Sequence, residues 1–245
     1  ANKVEYMQII QKDETKTSGW AFTNGAGACF TEAFGFKKDS DDAQQQVIWG
    51  LIKYNDNNVK LPTGVTAETA TAAKIDLALS KVAALTGFTE STDKTKIEVS
   101  AAGIYAIKAE ETGFTYKTAT AYVGFGEPYP ALTDAEVTAK KSPTTVDKTV
   151  ADDDHVVAIG DIVTYTIEAY VPFLDAANTE NRTFTITDQI KGAEYYLAGP
   201  NAVNSVTMEG KDGQVGEIVV NEDGKGFTVN LNTLVAGTDN PNAGK

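Results

Sequence analysis

The sequence predicts a mainly β protein with two domains: a mixed β-sandwich carrying two helices, followed by a β-sandwich. Apolar residues recur at the spacing of a helix in two segments, both before about residue 90. From about residue 145 onward, short segments rich in Thr and Val alternate with Asp/Gly turns such as "EDGKG". Pro128, Pro130 and Pro143 indicate extended chain between the two patterns. We therefore expect domains at 1–141 and 142–245.

The first half begins with a strand and continues with a helix. The segment "VEYMQII" is typical of a strand. In "SDDAQQQVIWGLIKYND" the residues Val47, Leu51 and Tyr54 recur on one helical face, and Ser40 or Asp41 could cap the helix.

A second helix is predicted in "TAETATAAKIDLALSKVAALTG", which is rich in alanine and ends at Gly87. Thr66 and Thr69 provide a weak start signal for this helix. Strands follow: "TKIEVSAAGIYAIKAEE" predicts two that meet near residues 101–103, and "TYKTATAYVGF" alternates as another.

Composition excludes several classes of function. The net charge is −13, and Arg182 is the only arginine, so we expect no nucleic acid and no anionic membrane surface as partner. No apolar run approaches the roughly 20 residues of a membrane span, so we expect no membrane insertion. Cys29 and His155 are each the only residue of their type, which argues against a disulfide or a Cys/His zinc site within the chain. We expect no metal and no cofactor, and we expect His155 to be a solvated loop residue.

The segment "TVDKTV" contains a charge on an apolar strand face. Strand side chains alternate with a period of two, so Val146, Lys148 and Val150 point the same way. If the valines face a core, the ammonium of Lys148 does too. A lone charge is costly in a low-dielectric interior, so a buried lysine needs a partner, a lowered pKa or a chemical fate.

The segment "RTFTITDQI" repeats this pattern with the opposite charge. Phe184, Ile186, Asp188 and Ile190 share one face, so Asp188 is predicted to face the same core as Lys148. Such a pair could exist as a neutral acid and a neutral amine, and a neutral amine beside an asparagine amide could attack it and expel ammonia. A buried salt bridge, or a strand end where both groups reach water, remains the alternative.

Longer motifs in the second half resemble a known family. The stretch "VDKTVADDDHVVAIGDIVTYTIEAYVPF", followed by "FTITDQIKGAEY", resembles the fimbrial isopeptide-formation domain of Gram-positive sortase-assembled pilins. That pattern comprises a Lys-Thr-Val strand, a "V..GD.VTYTI...VP" strand and a strand ending in aspartate before a Gly-containing loop. The first half is similar to the N-terminal domain of such pilins through "VEYMQIIQKDETKTSGWAF" and "SAAGIYAIKAEETGFTYKTATAYVGF".

The resemblance implies an Ig-like β-sandwich of the collagen-adhesin type for the second domain, with an intramolecular Lys–Asn isopeptide bond. It assigns Lys148 as the nucleophile and Asp188 as the promoting acid. The family's asparagine lies on a late strand, whereas Asn230 and Asn232 alternate with core residues and should face away from the core. We therefore expect the partner asparagine beyond Lys245, with the second domain lacking its last strands and the first domain lacking its first strand.

The resemblance also implies a second reactive lysine, which a pilus-specific sortase joins to the next subunit of a homopolymer. The family's "YPK" motif is absent, because Ala131 follows Pro130. By position near the domain junction, Lys141 is the first candidate and Lys140 the second, and an ordinary solvated pair remains the alternative.

The predicted function is a backbone-type pilin in an extracellular, cell-wall-anchored fibre, with no enzymatic turnover. A non-polymerising adhesin that binds a host protein or glycan through residues such as Trp20 or Tyr129 is the alternative. A glycan-cleaving enzyme is a more distant one, since no pair among 34 acidic residues stands out.

Overall fold

The computed structural model describes residues 1–151, 158–175, 182–196, 205–237 and 240–245. The chain divides into two compact units. Unit 1 comprises Ala1–Lys141 with Asp175–Ala177, and unit 2 comprises Ser142–Leu174 with Asn178–Lys245.

Unit 1 is built on an antiparallel sheet with the strand order β2-β1-β4-β6, and β3 also pairs with β1. The long central strand β1 carries Met7, Ile9 and Ile10, all at most 4% exposed. The pairing of β1 with β4 shifts register between Gln8 and Ile10. Because of this bulge, the neighbouring residues Ile9 and Ile10 both pack in the core that the helices cover. The strands up to the unit boundary are β1 (Lys3–Lys12), β2 (Trp20–Phe22), β3 (Thr89–Glu90), β4 (Gly103–Glu110), β5 (Phe114–Tyr116), β6 (Ala119–Val123) and β7 (Lys141–Pro143).

Three helices, α1 (Ala26–Ala33), α2 (Asp41–Asn55) and α3 (Ala72–Ala83), pack against this sheet. Their buried residues include Phe30, Val47 and Val82, each at most 2% exposed. Burying such side chains supplies the main driving force for unit 1, at about 1.5–3 kcal/mol for each large apolar residue. A groove of about 780 Å³ is lined by Val4, Tyr105, Ile107 and Val123 of the sheet.

The prediction of two helices is wrong, because α1 is a third. Its sequence, "AGACFTEA", is short and rich in small residues, so it carries little helical periodicity. The Ser40 hydroxyl caps α2 by accepting a hydrogen bond from the Ala43 N–H at 3.2 Å. The second predicted helix begins later than its weak start signal indicated: Thr71 caps α3, and Thr66 and Thr69 precede it.

Unit 2 contains two antiparallel sheets that share one core. Strand β8 pairs with β9, and β12 lies between β10 and β11. Ile167 of β9 and Ile186 of β10 both pack against the buried residues Phe227, Val229 and Val235. The strands of this unit are β8 (Val146–Val150), β9 (Tyr165–Ala169), β10 (Thr185–Gln189), β11 (Ile218–Val220) and β12 (Gly226–Asn230).

The predicted mainly β fold class is confirmed, with 28% strand and 17% helical residues in several antiparallel sheets. The expected pair of strands meeting near residues 101–103 is wrong, because only β4 forms there. Within the described ranges, no helix has the length and apolar character needed to cross a membrane.

Candidate functional site: a lysine–aspartate–tyrosine cluster

Lys148 lies on the inner face of β8, but its strand is less buried than predicted. It is directly opposite Ile167, which packs on the core of unit 2, and cross-strand neighbours share a face. Val146 and Val150 are 59% and 36% exposed, and the Lys148 side chain is 30% exposed. The two valines are therefore not core residues, and Lys148 reaches water, as the alternative of a partly solvated pair has it. Among the described strands, β8 pairs with β9, and every residue of β8 is exposed.

Asp188 lies on the inner face of β10, as the alternation predicts. It pairs in register with the buried Phe227, while Thr187 and Gln189 on either side are exposed. The Asp188 side chain is 19% exposed. The same period of two that places Ile186 against the core therefore directs this carboxylate inward.

The structure brings Lys148 and Asp188 together, although 40 positions separate them in sequence. Lys148 Nζ donates a hydrogen bond to Asp188 Oδ2, and the Tyr195 hydroxyl donates to the same oxygen. The Tyr165 ring lies 4.6 Å from the lysine nitrogen, in the range of a cation–π contact. The Tyr195 ring meets Phe227 edge-on, with ring centroids 4.9 Å apart. We call Lys148, Asp188, Tyr165 and Tyr195 the Lys148 cluster.

The surroundings of Asp188 favour one of the two charge states that the sequence left open. Partial burial acts to raise its pKa, but the hydrogen bonds from Lys148 and Tyr195 outweigh burial and hold that pKa below its usual value. The salt-bridge alternative therefore fits this contact better than the neutral pair, because two donors stabilise the carboxylate. Burial, together with the bond to Asp188, raises the pKa of the Tyr195 hydroxyl and keeps it a donor.

No described asparagine contacts Lys148. Asn230 is exposed, as the alternation predicts, and Asn232 is held at the opposite end of β10, where its Oδ1 accepts from the Phe184 N–H at 2.8 Å. Asn240 is buried and donates to the Pro172 carbonyl. Pro172 lies five residues beyond the partner of Lys148 on β9, roughly 16 Å along an extended strand.

The two candidate linkage lysines have different surroundings. Lys141 Nζ lies 3.3 Å from Glu111 Oε2 and 3.9 Å from the centroid of the Phe114 ring. The Tyr116 hydroxyl donates to the same glutamate oxygen. The side chain of Lys140 has no hydrogen bond or ion pair in the part of the chain that the structure describes. We call Lys141, Glu111, Phe114 and Tyr116 the Lys141 cluster.

Two members of the Lys141 cluster, Glu111 and Phe114, close one tight turn. Glu111 and Phe114 form an isolated antiparallel bridge, and the Phe114 N–H donates to the Glu111 carbonyl at 3.2 Å. Gly113 at the third position has φ 84°, a left-handed value that glycine adopts without a steric penalty. The turn therefore sets the direction of β5, on which Tyr116 lies.

Sequence reasoning missed both tyrosine donors and Glu111. Tyr195 follows β10 through a loop, and no periodicity links a loop residue to a strand seven positions earlier. The Glu111 turn did carry a signal, because glycine before an aromatic residue in "EETGFTY" is typical of a hairpin. His155 lies outside the described residues. Among the described residues, no group of three or more His, Cys, Asp or Glu side chains is arranged to hold a metal ion.

Comparison with known proteins produced a structural likeness. No family model and no curated protein matches the sequence. The solved structure of the T6 backbone pilin of serotype M6 Streptococcus pyogenes, a modular three-domain protein with variable loops and extensions, is similar to this chain at a TM-score of 0.47 and 16% identity. The match covers 93% of this chain and 46% of that pilin, so the chain spans less than half of the pilin's length.

Proposed function

We propose that this chain is a structural subunit of a covalently assembled pilus, and that an amide bond formed by Lys148 locks unit 2. The observation that carries the proposal is the contact of the Lys148 amine with Asp188, on strands from two different sheets. The sequence motifs around both residues resemble those of isopeptide-forming pilin domains, and they support the same assignment.

The Lys148 cluster has the groups that amide formation needs. Asp188 accepts a proton from the Lys148 ammonium, and the neutral amine then attacks the carbon of an asparagine carboxamide. The protonated Asp188 donates to the carboxamide oxygen while the new C–N bond forms. The old C–N bond then breaks: the leaving nitrogen takes the proton that the attacking nitrogen loses and departs as ammonia, and the proton on the carboxamide oxygen returns to Asp188. The partner asparagine stays a prediction of the pilin resemblance, which places it on a late strand.

The role of this bond is mechanical and not catalytic. The reaction occurs once within its own chain, so the cluster performs no turnover. A covalent tie between strands limits the freedom of the unfolded chain as a disulfide does. Cys29 is the only cysteine, so the chain cannot form an internal disulfide of its own.

The proposed subunit joins its neighbours through Lys141, with Lys140 as the second candidate. A pilus-specific sortase would link this lysine to the next copy, producing a homopolymer anchored to the cell wall of a Gram-positive bacterium. Such a structural role on the cell surface requires no cofactor and no nucleic acid.

Intact-mass measurement tests the amide bond. The full-length parent protein should weigh one ammonia less than its sequence for each bond formed. Lys148→Ala should restore the sequence mass, and Lys148→Arg should do the same while keeping a positive charge beside Asp188. A wild-type mass equal to the sequence value would contradict the proposal.

A host-binding adhesin is a second candidate, favoured by exposed aromatic rings on unit 1. Tyr122 and Tyr129 are 58% and 64% exposed. Tyr122 contacts Trp20 at 6.1 Å between ring centroids, and Tyr129 contacts Phe125 at 5.1 Å. Saturable glycan or protein binding that Tyr129→Ala weakens, together with no covalent oligomers in cell-wall extracts, would favour this candidate over the pilus subunit.

A further inference from the structure

We infer that Glu111 is the proton acceptor for acylation of Lys141, and that Tyr116 is the residue that positions Glu111. This inference rests on the proposed function, in which Lys141 is the amine that joins one subunit to the next. It adds a carboxylate and a tyrosine to that site, which no sequence motif indicated.

Geometry places the carboxylate on the reacting nitrogen. Glu111 Oε2 lies 3.3 Å from Lys141 Nζ, within reach for proton transfer. The Glu111 side chain is 24% exposed and that of Lys141 is 43% exposed, so the pair is shielded on one side and open on the other. An acyl donor can therefore reach the nitrogen from solvent while the carboxylate remains in contact with it.

Two further contacts restrict the lysine and the glutamate. The centroid of the Phe114 ring lies 3.9 Å from Lys141 Nζ, and the face of the ring attracts the ammonium. The Tyr116 hydroxyl donates to the glutamate oxygen that faces the lysine. The backbone next to Lys141 is also restrained, because the Lys117 N–H donates a hydrogen bond to the Lys140 carbonyl at 3.0 Å. Positioning of this kind lowers the entropy lost when a reaction brings its groups together.

Two cations and one hydroxyl group surround Glu111. Its Oε2 faces Lys141, the Tyr116 hydroxyl and the α-amino group of Ala1 at 3.6 Å. The bond from Tyr116 contributes most to lowering the pKa of Glu111, with Lys141 adding to it. Partial burial opposes the effect, yet contact with Glu111 raises the pKa of Lys141. The resting state is therefore an ammonium–carboxylate pair.

The reaction is a transfer of an acyl group from a thioester on another protein. The proton of the Lys141 ammonium passes to Glu111, and the free electron pair of the nitrogen attacks the thioester carbonyl carbon. The new C–N bond forms, the C–S bond breaks, and the sulfur leaves as a thiolate, which takes the second proton that the nitrogen loses. The proton held by Glu111 returns to solvent, so that no oxidant or reductant is needed.

The test combines two readouts on Glu111→Gln, Tyr116→Phe and the control Glu110→Gln, which removes a neighbouring exposed carboxylate. The first is trace acetylation with acetic anhydride across a pH series, with mass spectrometry comparing the Lys141 and Lys140 peptides. The second is the amount of Lys141-linked peptide in polymer from cells that produce the full-length protein.

We expect opposite effects of Glu111→Gln in the two readouts. The pH midpoint of Lys141 acetylation should fall, because the ammonium loses its partner, while Lys140 stays unchanged. Polymer linked through Lys141 should fall about 100-fold, the usual scale of general-base catalysis. Tyr116→Phe should produce smaller changes in the same directions, and Glu110→Gln should produce neither.

The inference is overturned if the acetylation midpoint of Lys141 does not move, or if Glu111→Gln polymerises through Lys141 at the wild-type rate. Wild-type polymer linked through another lysine also overturns it, while leaving the covalent polymer intact. A wild-type protein that forms no covalent oligomers overturns the proposed function itself, and the inference with it.

Discussion

The Lys148 cluster and the Lys141 cluster contain the same kinds of groups on different backbone supports. Each has a lysine ammonium, a carboxylate, an aromatic ring facing the ammonium and a tyrosine hydroxyl that donates to the carboxylate. Lys148 and Asp188 belong to different sheets of unit 2, so their contact depends on the packing of that whole unit. Glu111 and Phe114 close one local turn of unit 1, and Tyr116 lies on the short strand that follows it.

Because of this difference, the same lysine chemistry would serve two purposes: a cross-link within unit 2 and a bond to a second molecule at unit 1. A contact between sheets is a place where a covalent bond stabilises the fold, because the bond closes a long loop. A contact on a surface turn leaves the lysine open to a second molecule, because one side of the nitrogen faces solvent. Substitutions in the two clusters should therefore have unequal effects on stability.

The largest expected effect is on the stability of unit 2. In the full-length parent, Lys148→Ala should lower the free energy of unfolding by about 2–5 kcal/mol, the usual effect of losing a cross-link. Urea unfolding followed by fluorescence measures it. Lys191→Ala, at an exposed position of the same unit, is the control and should have little effect. An unchanged urea midpoint in Lys148→Ala would show that no cross-link forms.

Removing the tyrosine hydroxyls should destabilise the two units unequally. Tyr195→Phe takes a donor from Asp188 and should cost about 1.5–3 kcal/mol, the range for hydrogen bonds to charged groups. Tyr116→Phe should cost less, because Glu111 keeps its ion pair with Lys141. Thermal unfolding compares them, with Tyr196→Phe at a 54% exposed position as control. If both variants lost the same free energy of unfolding, the two tyrosine hydroxyls would contribute equally to stability, and the contrast between the clusters would fail.

Acid should weaken unit 2 through Asp188. Its folded pKa is lower than its usual value, so the carboxylate contributes stability that is fully present above the unfolded pKa of about 4. This contribution is lost as the pH falls below that value toward the folded pKa. Urea midpoints measured between pH 7 and pH 3 should fall less steeply in Asp188→Asn than in the wild type. Asp147→Asn, on the exposed face of β8, should retain the wild-type slope.

The smallest expected effect comes from the aromatic face over Lys141. Phe114→Leu keeps apolar bulk but removes the ring, so it should cost about 0.5–1 kcal/mol. A double-mutant cycle with Lys141→Met isolates the contact between the two side chains. A coupling energy of zero would mean that the cation–π contact contributes nothing to stability. Glu111 would then be the main restraint on Lys141.

Local sequence patterns are sufficient to predict the strand faces and one helix cap of this protein. The alternation in "FTITDQI" placed Asp188 and Ile186 on one inner face, because side chains of a strand must alternate. The Ser40 cap followed from a short polar side chain just before an apolar helical pattern. Lys148 and Asp188 could therefore be proposed as partners from two short segments.

Tertiary structure alone decided the burial and charge of those partners. The Lys148 side chain is partly exposed, which a period of two cannot reveal because it reports the direction of a side chain and not its depth. Tyr195 reaches Asp188 from a loop, and Glu111 reaches Lys141 across 30 positions. Such contacts determine whether a carboxylate stays ionised, since the pKa depends on donors and solvent in three dimensions. The sequence by itself determined which way the reactive side chains point, and only the packing of the chain decided which groups surround them.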